Sequence, residues 1–115
     1  MHSVAVARPL EIERHDDAAG PRLVLRGELD IATAPRLQEA VDAALAAGPQ
    51  MLVVDLRELA FLDSSGLRQF IVLAGRAEQE GFRLALVRPA PPALAVFQIT
   101  RAEENLPFVE EPPSS

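Results

Sequence analysis

Two hydrophobic periods alternate along this chain, and the places where one gives way to the other divide it into elements. Leu10-Glu11-Ile12-Glu13 alternates apolar and charged residues, as a strand with one solvated face does. His15 to Pro21 is polar, ends in Gly-Pro and reads as a turn. Arg22-Leu23-Val24-Leu25-Arg26 then resumes as a second strand, so the pair predicts an antiparallel hairpin. From Thr33 the period lengthens. Threonine can cap a helix and Pro35 is tolerated in its first turn; Leu37, Val41, Ala44 and Leu45 form one apolar stripe, and Gly48 is placed to end it. Met51 to Leu56 is short, β-branched and almost wholly apolar, the pattern of a buried central strand.

Next comes Phe61-Leu62-Asp63-Ser64-Ser65-Gly66-Leu67, and after it Leu67, Phe70, Ile71, Ala74 and Ala77 recur at helical spacing, with Arg68, Gln69, Arg76 and Gln79 on other faces. This second helix ends at Gly81. Phe82 to Val87 predicts a fourth strand. Pro89, Pro91 and Pro92 lead into a short helix carrying Leu94, Phe97 and Ile99, and Leu106 to Val109 fits a small edge strand. A hairpin followed by alternating helices and strands implies an α/β fold, a mixed sheet of four or five strands with helices packed mainly on one side. We expect a flexible leader over residues 1–9, one domain over 10–110 and a disordered tail over 111–115.

Composition narrows the chemistry. The 115 residues suffice for one core, 49% are apolar, and only 4% are aromatic, so the core must be built from Leu, Val, Ile and Ala. A formal charge of −6 argues against nucleic acid, which needs a basic face. With no cysteine there are no disulfides, thiol catalysis or thiolate metal sites. No apolar run approaches the length of a membrane span, and the first residues lack the pattern of a secretory signal, so the expected location is cytoplasmic.

The junction at Asp63 sets two hydroxyls and a carboxylate where helical N–H groups lack partners and the dipole favours negative charge. A serine hydrolase would need a histidine in reach and a Gly-x-Ser-x-Gly turn; Leu62-Asp63-Ser64-Ser65-Gly66 lacks the first glycine, and His2 and His15 fall in the leader and a turn. No acid or histidine pair has metal-ligand spacing, and no phosphate-binding glycine-rich loop is present, so neither a metal nor a cofactor is expected. Two readings of the junction stay open. Either Asp63, Ser64 or Ser65 caps the helix while Gly66 lets the backbone turn, or a serine is modified.

Gly27-Glu28-Leu29-Asp30 entering the first helix, the strand containing Val53-Val54-Asp55-Leu56, and Asp63-Ser64-Ser65-Gly66-Leu67 entering the second together resemble the STAS-domain anti-sigma factor antagonists of bacterial partner-switching systems. The resemblance covers residues 10 to 110. One departure is Thr100-Arg101, where members of the family often have Thr-Gly. The resemblance implies a STAS-like sheet and a binding module that is not an enzyme. Unphosphorylated, such a module binds an anti-sigma factor serine kinase and releases the sigma factor. Phosphorylation of the second serine, here Ser65, switches it off, and a serine phosphatase restores it. Asp30 and Asp63 would flank that site. The expected partner-binding face comprises Asp30, Ala32, Thr33, Asp63, Ser64, Ser65, Gly66, Arg68, Gln69 and Val72, on a monomer or weak dimer without membrane insertion. The alternative is a constitutive STAS-type docking subunit of a lipid-transport or stress-signalling complex.

Overall fold

The computed structural model describes residues 9–113. Residues 1–8 of the expected leader and 114–115 of the expected tail therefore lie outside the described residues. Six strands form one mixed sheet: β1 (Glu11–Asp17), β2 (Gly20–Leu29), β3 (Met51–Asp55), β4 (Leu59–Leu62), β5 (Arg83–Val87) and β6 (Phe108–Val109). The order is β1-β2-β3-β5-β6, with β4 paired to β2 beyond the point where β3 leaves it. Among the described residues only β1 and β2 are antiparallel; every other pairing is parallel. All five residues of β3 are buried, as its unbroken apolar run implies for a strand in the middle of the sheet.

Among the described residues three α-helices complete the fold, α1 (Ala34–Leu45), α2 (Ser64–Glu80) and α3 (Ala93–Ile99), and a 3-10 turn (Ala102–Asn105) follows the last. All three α-helices pack on one face. Leu37, Val41 and Ala44 of α1, Leu67, Phe70, Leu73 and Ala77 of α2, and Ala93 and Phe97 of α3 share a core with Leu23, Leu25, Leu52, Val54 and Leu86 of the strands. Burying each large side chain contributes about 1.5–3 kcal/mol. Phe97 sits between Phe70 at 5.9 Å and Phe108 at 5.1 Å between ring centroids, which ties α3 to α2 and to the edge strand. The opposite face carries a smaller cluster of Met51, Val53, Ala85 and Val87, against which Ala19 and Val109 pack.

The elements differ from expectation in several places. The hairpin turn shrinks to Ala18-Ala19, because His15, Asp16 and Asp17 pair in register with Arg22, Pro21 and Gly20. Strand β4 was hidden in the junction, since four residues so close behind β3 show no period of their own. In α2 the buried stripe runs through Leu67, Phe70, Leu73 and Ala77 at steps of three and four, and this turns Ile71 out to solvent. Ile99, expected on the apolar side of α3, is also exposed, one residue before that short helix stops.

Candidate functional site

Parallel pairing of β2 with β4 assembles the site. Glu28 lies opposite Phe61 and Leu29 opposite Leu62, so the two strands end side by side and their following residues, Asp30 and Asp63, leave the sheet together. The N–H of Asp63 donates to the Leu29 carbonyl at 3.1 Å, which closes the register.

Asp63 is the N-cap of α2. Its backbone is extended, and one carboxylate oxygen accepts the N–H of Gly66 at 3.0 Å. The second carboxylate oxygen reaches across to the other loop and accepts the N–H of Ile31 at 3.3 Å. One side chain thus holds two segments that are 32 residues apart. Of the three capping candidates, aspartate takes the role. Ser64 and Ser65, at the first and second helical positions, make no side-chain hydrogen bond among the described residues; Ser64 is exposed and Ser65 half-buried.

Gly66 serves a different purpose from the one expected. It lies inside the helix and makes no turn. A Cβ at this position would stand 2.8 Å from the Leu29 carbonyl oxygen, so the missing side chain lets α2 approach β2 at the site.

Across the junction, Asp30 and Thr33 build the entry to α1. Asp30 Oδ1 accepts the N–H groups of Ala32 at 3.0 Å and Thr33 at 2.9 Å. Thr33 occupies the N-cap position of α1 without capping it: its hydroxyl accepts the Asp30 N–H at 2.9 Å and lies 3.1 Å from the Glu28 carbonyl, to which it donates. The loop is fastened to itself and to β2 before the helix begins.

Arg68 is exposed at the start of the second turn of α2. Gln69 faces the groove between α1 and α2, whose walls are Leu37, Gln38, Val41, Val72, Leu73 and Arg76. Asp30, Thr33, Asp63, Ser64, Ser65 and Gly66 are therefore brought together, and Gln69 and Val72 extend the same side along α2. Ile31, whose amide joins the two loops, was not among the residues expected here. It stands 76% exposed between Asp30 and Ala32, and an isolated isoleucine in a polar loop carries no periodic signal. Among the described residues no group of three or more His, Asp or Glu side chains is arranged to hold a metal ion, and no helix is long and apolar enough to cross a membrane.

The sequence matches the family model described as "Mlab, STAS domain" over residues 12–110. It is 41% identical over 59 residues to the anti-sigma-F factor antagonist RsfB of Mycobacterium tuberculosis, a match covering 51% of this chain and 46% of that protein. It is 30% identical over 78 residues to the anti-sigma-B factor antagonist of Listeria monocytogenes, covering 68% of each. The chain thus spans about half the length of the first relative and two thirds of the second. Among solved structures, an anti-sigma factor antagonist from Mycobacterium paratuberculosis superposes with a TM-score of 0.74 at 28% identity, over 89% of this chain and 86% of that one. The antagonist SpoIIAA in its unphosphorylated form shares the fold with a TM-score of 0.72 at 19% identity, over 89% of each chain.

Proposed function

The chain belongs to the STAS domain family of anti-sigma factor antagonists, and from that premise we propose that its unphosphorylated form binds an anti-sigma factor serine kinase, releasing the sigma factor, and that phosphorylation of Ser65 ends the complex. A serine phosphatase resets the switch. The exchange takes place in the cytoplasm, and the chain acts in it as a binding module and not as a catalyst.

The observation that carries this reading is the division of labour at the start of α2. Asp63 caps the helix, so Ser65 is not needed to hold it and its hydroxyl is free for a kinase. A phosphate there brings about −1.5 to −2 charges at neutral pH. The helix N-terminus tolerates that charge, so modification leaves the domain folded. Binding is more sensitive. Two unit charges about 5 Å apart at an effective dielectric near 20 repel by roughly 3 kcal/mol, and every ~1.4 kcal/mol is tenfold in affinity. An acidic environment presented by the partner, or loss of a close polar contact, would then suffice to release it.

Incubation with the anti-sigma factor kinase of the same organism and ATP tests the site. One phosphate is expected on the wild type and none on Ser65→Ala. Equal labelling of both would sink the assignment. In a pull-down, Ser65→Ala should bind the kinase as the wild type does and Ser65→Glu should bind it more weakly. Equal binding by all three would favour a constitutive docking subunit instead.

A further inference from the structure

Resting on the antagonist reading, we infer that Ile31 is an apolar anchor seated in the anti-sigma factor, and that Asp63 is the positioning residue that holds it in place. The loop around Ile31 is pinned at every amide. The N–H of Asp30 goes to the Thr33 hydroxyl, that of Ile31 to Asp63 Oδ2, those of Ala32 and Thr33 to Asp30 Oδ1, and that of Ala34 to the Asp30 carbonyl at 2.8 Å. Five consecutive donors are thus committed, in a connection that needs only to join a strand to a helix.

So rigid a loop holds its one large apolar side chain outward, 76% exposed. An exposed isoleucine alone signifies little, since apolar residues are common on surfaces. Here it is joined by a hydrogen bond to the carboxylate that caps the serine-bearing helix, so anchor and modification site share one rigid frame. A side chain fixed in advance loses less freedom on binding than a mobile one, and central apolar anchors carry much of an interface's energy. Val72, half exposed on α2, lines the groove between α1 and α2 beside Gln69. Asp30 and Asp63 flank the anchor with carboxylates already engaged by backbone amides, so the socket it fits is apolar.

Titration calorimetry of the full chain against the anti-sigma factor kinase tests the anchor. Ile31→Ala should lose about tenfold or more in affinity while its thermal unfolding stays at the wild-type midpoint. Asp63→Asn keeps an oxygen to cap Gly66 and turns an N–H2 group toward the Ile31 amide. It should raise the exchange rate of that amide by NMR and weaken binding. A residue acting through Ile31 has a further signature: the loss from Asp63→Asn should disappear in the Ile31→Ala background. Wild-type affinity in Ile31→Ala, with the wild type binding normally, overturns the anchor and leaves the antagonist reading standing. Additive losses in the double variant overturn the positioning role of Asp63. Failure of the wild type itself to bind removes the antagonist reading and the anchor together.

Discussion

Asp55 and Arg57 form a two-pronged ion pair on the helix-free face of the sheet, with Arg57 Nε 3.0 Å from Oδ1 and Nη2 2.7 Å from Oδ2 of a carboxylate only 3% exposed. The backbone N–H of Arg57 adds a third bond at 3.1 Å, and Arg22 approaches from β2 at 3.6 Å. The pair closes the end of β3, beside Val53 and Val87, so the one fully buried strand carries its charge without an unpaired oxygen.

This pair makes acid stability depend on Asp55. Burial pushes its carboxyl up, but the Arg57 side-chain and backbone hydrogen bonds, with the charges of Arg57 and Arg22, outweigh that and hold it below the usual carboxylate range. The stabilisation is present above the unfolded value of about 3.9 and is lost as pH falls through the lower folded value. Urea denaturation should find Asp55→Asn less stable than wild type at pH 7, by about 1–3 kcal/mol. The gap should narrow below pH 4.

Gly66→Ala pits two effects against each other. Alanine favours a helix interior by about 1 kcal/mol over glycine. Its Cβ would lie 2.8 Å from a backbone oxygen of β2, which a flexible side chain's movement cannot relieve. The clash should win, with a net loss of about 1–3 kcal/mol. Chemical denaturation measures it, and amide shifts at Leu29, Ile31 and Asp63 should report the displaced helix.

Arg101 adopts the left-handed conformation with φ of 63° just after α3, where family members often carry glycine. A side chain there costs about 1–2 kcal/mol, and glycine returns about 0.4–1 through a freer unfolded chain. The exposed Arg101–Glu104 pair adds little. Arg101→Gly should therefore raise stability by about 0.5–1 kcal/mol, visible as a higher melting temperature.

Ser65→Glu should separate folding from binding. Acidic residues in the first turn gain about 0.3–1 kcal/mol from the helix dipole, and the neighbouring Asp63 opposes this. The melting temperature should stay close to wild type, within a change of about 1 kcal/mol. A large drop would mean that the junction cannot hold added charge, which would count against a phosphorylation switch.

The hydrophobic periods sufficed for the order of the helices and of the strands other than β4, for the buried central strand and for the helical stripe of α1, because burial imposes a regular spacing that the chain itself displays. They also sufficed to single out Asp63-Ser64-Ser65-Gly66 as an unusual junction. They could not show that β4 exists or that it lies beside β2, since a parallel partner more than thirty residues away leaves no local trace. From that pairing follow the meeting of Asp30 with Asp63, the carboxylate that caps α2 while gripping Ile31, the close approach that needs Gly66, and the outward isoleucine. Periodicity records which face of an element is buried. Which loops become neighbours is settled by long-range pairing, and the site is made of loops.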